Sequence, residues 1–91
     1  MIVTEKVIFS GRVQGVGFRY SCKMFADEIG LFGTIHNEWD SRVIATLQGD
    51  SELINYFIRN LPKKISPWAR ISKVERTKIP QALVYHDFRI I

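Results

Sequence analysis

The run Val7-Ile8-Phe9-Ser10-Gly11-Arg12-Val13-Gln14-Gly15-Val16-Gly17-Phe18-Arg19 changes character partway along. Its first four residues read as a strand. Val7, Phe9 and Val13 share one parity, the mark of a face turned to a core. Three glycines then fall within seven residues, at Gly11, Gly15 and Gly17, and interrupt regular structure. Beyond them Cys22, Phe25, Ala26 and Ile29 recur at i, i+3, i+4 and i+7, which predicts a helix over 21–29. Ser21 is its expected N-cap and Gly30 its expected C′ residue.

The rest of the chain completes the pattern. Residues 33–39 and 42–48 are expected to be two strands joined by a turn at Asp40-Ser41, with Val43, Ala45 and Leu47 on one side. Gly49-Asp50-Ser51 opens a second helix, whose stripe is Leu53, Ile54, Phe57, Ile58 and Leu61 and which Pro62 closes. Residues 70–79 form a fourth strand whose imperfect alternation suggests a bulge. Pro80-Gln81 turns the chain into a last strand over 83–90, with Val84, Phe88 and Ile90 packed. The order is β-α-β-β-α-β with a short extra strand. That order predicts an α+β, ferredoxin-like sandwich: a mostly antiparallel sheet with both helices on one face.

Composition narrows the function classes. At 91 residues, residues 1–91 are expected to form one domain. No apolar run approaches the roughly 20 residues that cross a bilayer, and no secretory pattern opens the sequence, so no membrane partner is expected. A lone Cys22 excludes an internal disulfide framework, and two histidines with one thiol argue against a dedicated zinc site. These counts favour a reducing, cytoplasmic setting. Cys22 is expected to be a buried filler. His36 and His86 are expected to be surface or sheet residues, and Trp39 and Trp68 to pack or to lie at a sheet edge. The net charge is +4, but residues 59–78 alone carry +6 and the remaining 71 residues carry −2. A basic stretch of that kind is either a solvated face or a lure for an anionic partner.

The glycine run carries the chemistry. Glycines let backbone N–H groups converge on one point, and a following helix aims its own free N–H groups and positive dipole end there. Arg19 adds a cationic fork that matches phosphate oxygens. The run fits neither nucleotide-binding pattern: no Gly-Lys-Ser/Thr closes it, and Tyr20 stands where the third dinucleotide-loop glycine belongs. Arg12 is expected on the solvent side of the strand. Gln14 is expected to pack or bond across the base of the loop.

Residues 11–19 closely resemble the first signature of the acylphosphatase family. Gly33-Thr34-Ile35-His36-Asn37-Glu38-Trp39-Asp40-Ser41-Arg42-Val43 is similar to its second, with Ile35 in place of Val and Ser41 in place of the turn glycine. The Gly-Pro-Pro-x-Ala run common after the second helix in that family is replaced by Leu61-Pro62-Lys63-Lys64-Ile65-Ser66-Pro67-Trp68-Ala69. The resemblance implies metal-independent, cofactor-free hydrolysis of acyl phosphates to a carboxylate and inorganic phosphate. By motif position it implies a phosphate cradle of Gly15, Val16, Gly17, Phe18 and Arg19. Arg19 would be the catalytic arginine, and Asn37 would orient the attacking water. It further implies a small cytoplasmic monomer acting on a small-molecule substrate, with no nucleic acid bound. Two rival readings stay open at this point. One is a basic ferredoxin-like RNA-binding module, although residues 42–47 lack the aromatics of that class. The other is a relative with weakened catalysis in a structural or regulatory role.

Overall fold

A computed structural model describes residues 1–80 and 82–91. The elements are β1 (Ile2–Arg12), α1 (Phe18–Ile29), β2 (Phe32–Asn37), β3 (Val43–Asp50), α2 (Ser51–Asn60), a 3₁₀ turn (Leu61–Lys63), β4 (Arg70–Lys78) and β5 (Phe88–Ile90). The sheet runs β4-β1-β3-β2-β5. The pairs β1–β3, β1–β4 and β2–β3 are antiparallel, and β2–β5 is parallel. This is the ferredoxin-like order with an added C-terminal strand.

Strand parity decides what the helices cover. Val7 and Phe9 of β1, Ile35 of β2 and Val43, Ala45 and Leu47 of β3 are buried on the helix side. Against them pack Phe18, Cys22, Phe25 and Ala26 of α1 and Ile54 and Phe57 of α2. Phe25 and Phe57 stack at 5.2 Å between ring centroids and join the two helices. Cys22 is a buried filler as expected, and burial pushes its thiol pKa up, away from thiolate chemistry.

Four expectations need correction. First, α1 begins at Phe18, and its N-cap is Gly17, not Ser21. The Ser21 N–H is already inside the helix, bonded to the Gly17 carbonyl at 3.0 Å. The side chain of Phe18 drives that early start by packing edge-on against Phe9, 5.2 Å away. Second, the last strand is only Phe88–Ile90, and Leu83 and Val84 lie exposed. Their backbone is instead held by a side chain: Gln48 donates to the Leu83 carbonyl and accepts from the Tyr85 N–H. Third, Ile90 is 38% exposed where packing was expected, because it borders the open depression beside the glycine run, whereas Phe88 on the same face is buried. Fourth, Trp39 and Trp68 are solvent-exposed and not packed, Trp39 in the turn after β2 and Trp68 just ahead of the edge strand β4. On the sheet face opposite the helices, Thr4, Ile44 and Gln48 are buried. The turn read at Pro80-Gln81 reaches outside the described residues.

The fourth-strand bulge is present. Ser10 pairs with Lys73 but Gly11 with Ile71, so Ser72 is the extra residue. The turn between β2 and β3 keeps the geometry that glycine usually serves: Ser41 sits at φ 79°. Asp40 compensates by accepting from the Arg42 N–H and Nε through its two oxygens.

Two stability outcomes follow from the backbone. Gly33 lies at φ 143°, and a Cβ there would meet the Thr46 carbonyl oxygen at 1.7 Å. Gly33→Ala should therefore lose about 3 kcal/mol or more in urea denaturation. Ser41→Gly relieves a left-handed residue and should gain about 1 kcal/mol, seen as a melting midpoint raised by about 4–8 °C.

Candidate active site

β1 ends at Arg12, and the chain crosses to α1 in five residues. Val13 is buried and Val16 packs on the core, so both ends of the crossing are anchored. Gly15 and Gly17 take φ values of 73° and 74°. A Cβ at either would meet nothing within 4 Å. Their requirement is thus conformational and not steric. Left-handed residues of this kind are the backbone conformation from which anion-binding nests are built.

The helix that follows is uncapped. No side chain accepts from its first turn, and no acidic residue stands there. Its first backbone bond uses the Ser21 N–H, so the N–H groups of Phe18, Arg19 and Tyr20 have no acceptor among the described residues. The start of α2 is the reverse case. Asp50 accepts from the Glu52 N–H there, and that bond together with the N-terminal ammonium holds its carboxyl below the usual range. The anion-seeking end of α2 is already satisfied by the chain, and that of α1 is not.

Arg19 sits in the first turn of α1, half-buried, with no carboxylate in ion-pair reach among the described residues. It borders a depression of about 180 Å³ together with Val13, Gly15, Gly17, Phe18, Tyr20 and Ile90. Larger depressions of about 370 and 470 Å³ lie at the opposite end of the sheet, around Thr4 with Ile79 and around Phe32 with Leu53. Among the described residues no group of three or more His, Cys, Asp or Glu is placed to hold a metal ion.

Asn37 is the last residue of β2 and pairs across to Val43, which pairs in turn with Phe9 of β1. It keeps the parity of buried Ile35, so it lies on the helix side, at the sheet end where the glycine run begins. It is exposed and does not border the depression beside Arg19. The two regions are joined by Gln14, whose Nε2 donates to the Glu38 carbonyl at 2.7 Å and to the Arg42 carbonyl at 2.9 Å. That is the bond across the loop base expected of Gln14. Arg12 is exposed as expected, opposite Arg70 in the β1–β4 register. His36 has the opposite parity to Asn37 and faces the other side of the sheet.

The sequence reading missed two residues that border the depression, Tyr20 and Ile90. Tyr20 follows Arg19 directly, and a helix start at Phe18 would have revealed it. Ile90 comes through the parallel pairing of β5 with β2, in which Ile90 faces Ile35 and the Ile91 N–H donates to the Ile35 carbonyl at 2.9 Å. No local pattern encodes that register.

Comparison with known proteins gives the family and the fold. An acylphosphatase of Ligilactobacillus salivarius (strain UCC118) is 39% identical over 85 residues, 93% of each chain. An acylphosphatase of Enterococcus faecalis (strain ATCC 700802 / V583) is 37% identical over 81 residues, 89% of each. The crystal structure of acylphosphatase from Bacillus subtilis matches with a TM-score of 0.89 at 33% identity, covering 100% of this chain and 99% of that one. A sequence profile described as Acylphosphatase matches residues 5–90, so the glycine run, the uncapped helix and Asn37 all fall inside it and the chain belongs to the acylphosphatase family.

Proposed function

We propose that this acylphosphatase-family hydrolase cleaves acyl phosphates to a carboxylate and inorganic phosphate, with Arg19 and the backbone of Gly15–Arg19 holding the phosphoryl group and Asn37 orienting the water. One observation carries the assignment: two left-handed glycines lead into a helix start with unpaired N–H groups and an arginine in its first turn. Three kinds of donor share one locus, and no carboxylate opposes them there.

The chemistry needs little beyond that. A carboxylate is a good leaving group, so no strong acid is required on that side. What remains is charge stabilisation on the phosphoryl oxygens and a placed water. Arg19 and the loop N–H groups serve the first need. Each well-placed donor contributes roughly 3 kcal/mol by analogy with oxyanion holes. The side-chain carbonyl of Asn37 accepts a hydrogen bond from the water while its NH₂ donates to a phosphoryl oxygen. Water oxygen bonds to phosphorus, the bond from phosphorus to the acyl oxygen breaks, and the electron pair leaves with the carboxylate. The water proton passes to the phosphate oxygens. No protein base is invoked, because Cys22 is buried and His36 faces away.

The same reading makes residues 1–91 one catalytic domain, a cytoplasmic monomer that acts on a small molecule without metal or cofactor. An RNA-recognition role is disfavoured by the open sheet face. On that face β1 and β3 carry Thr4, Lys6, Ile8, Ile44, Thr46 and Gln48, none of them aromatic, so neither strand offers a ring on which a base could stack.

Phosphate release from acetyl phosphate tests the assignment. Arg19→Gln should lower kcat/KM by about 10³-fold and Asn37→Ala should lower kcat by about 10²-fold, with turnover unchanged in a chelator. Full activity in the Arg19 variant would overturn it. The second outcome concerns pH: His36→Asn should leave the pH dependence of kcat unaltered, and a lost ionisation would show that a protein base had been overlooked.

A further inference from the structure

We infer that Gln14 is a positioning residue for the hydrolysis, fixing Asn37 relative to the phosphate loop. The inference rests on the reading of Asn37 given above. Gln14 immediately precedes Gly15 and is half-buried between Val13, which is in the core, and Val16, which packs on it. Its carboxamide has two N–H groups, and its nitrogen makes two bonds, at 2.7 Å to the Glu38 carbonyl and 2.9 Å to the Arg42 carbonyl.

Those two acceptors are not arbitrary points on the hairpin. Glu38 follows Asn37, and Arg42 precedes Val43, the cross-strand partner of Asn37. The same two residues close the hairpin, with the Glu38 N–H donating to the Arg42 carbonyl at 2.8 Å and the Ser41 N–H to the Glu38 carbonyl at 3.3 Å. One side chain therefore grips both strands just beyond Asn37 and is rooted one residue before the loop. Among the described residues no other side-chain hydrogen bond links residues 13–19 to residues 36–42.

The hairpin has reason to need that grip. Ser41 occupies a left-handed position without glycine's freedom, so the turn is held partly by what bonds to it. Attack geometry is also unforgiving: a displacement of about 1 Å can cost about 10²-fold in rate. The chemistry selects glutamine. A glutamate has the same shape but no N–H to donate, a methionine fills the space with no polar group, and an asparagine is one methylene short.

The experiment measures kcat and KM for acetyl phosphate, and the competitive inhibition constant of inorganic phosphate, in Gln14→Met, Gln14→Glu, Asn37→Ala and the double variant Gln14→Met/Asn37→Ala. The expected result is a kcat loss of about 10- to 100-fold in each Gln14 variant, with phosphate inhibition within about twofold of wild type. In the Asn37→Ala background the Gln14→Met substitution should change kcat by no more than about threefold, because a residue acting through Asn37 has nothing left to position. Three outcomes would overturn the inference: an unchanged kcat, phosphate inhibition weakened as much as kcat falls, or losses that multiply in the double variant. The first two would leave the Asn37 assignment standing, whereas full activity in Asn37→Ala alone would remove that assignment and this inference with it. Wild-type protein supplies a check that needs no folded variant. The Gln14 carboxamide protons should exchange with solvent far more slowly than those of exposed Asn55, and equal rates would overturn the inference.

Discussion

Gly17 holds a left-handed backbone one residue before a phenylalanine that must be buried, and the site descends from that pairing. Phe18 packs edge-on against Phe9, so the helix has to begin at once. The chain leaving β1 reaches that position through Gly15 and Gly17, both in the left-handed region. Three consequences arrive together. The first-turn N–H groups emerge with no side chain to cap them. Arg19 falls in the same turn. Finally, the bend is bordered by the end of β5, since Ile90 lies beside Gly15, Gly17 and Arg19. A hydrophobic contact thereby sets the position of polar groups that bind nothing else among the described residues.

The two helices differ at their starts, and that difference supports placing the proposed site at this end and not the other. Each follows a strand, and β1 and β3 run antiparallel, so α1 and α2 begin at opposite ends of the sheet. Both starts carry the partial positive charge of a helix N-terminus. At α2 the chain supplies its own anion, Asp50, with Glu52 in the first turn. At α1 it supplies none, and adds a cation. An anion from outside is the remaining way to satisfy those groups other than water. The basic excess of residues 59–78 is a separate matter. Lys64 lies near Glu28 and over the Phe25 ring, Lys73 pairs with Glu75, and Arg76 makes two bonds to buried Glu5. Three of its seven basic residues are thus partnered within the fold.

Much of this was legible in the order of residues. Alternation at Val7, Phe9, Val43, Ala45 and Leu47, and helical spacing at Cys22, Phe25, Ala26, Ile54 and Phe57, forced one buried sheet face and two covering helices. The glycine run and Arg19 pointed to an anion site because few other functions call for those residue types in that order, and that reading is carried into the proposal. The sequence misled where tertiary contact outweighed local preference. Ser21 is a good capping residue, but the packing of Phe18 placed the helix start three residues earlier. Leu83 and Val84 are good strand formers, but the connection from β4 must cross the sheet end before β5 can pair with β2. Gln48, from a distant strand, holds it there in an irregular path. Likewise, the bond from Gln14 to the hairpin depends on two loops meeting, which no spacing in the chain records.

The distribution of strain completes the physical picture. At the end of the sheet away from the glycine run, buried polar groups are satisfied. Gln48 bonds Thr4, Leu83 and Tyr85, while Arg76 joins Glu5 and Asn55. At the other end lie an uncapped helix, two left-handed glycines, a left-handed serine and an arginine without a carboxylate partner among the described residues. Such features persist only where surrounding structure over-determines them. Here the over-determination comes from Phe9 against Phe18 on the loop side and from Gln14, Asp40 and the hairpin closure on the Asn37 side. A small protein has few apolar contacts to spare. It follows that the satisfied end does more than decorate the fold: its hydrogen-bonded network carries stability that lets the opposite end keep donors unpaired. Removing Gln48 or Arg76 would then be felt as lost stability of the whole sheet, while the donors around Arg19 can be altered with their cost falling on chemistry.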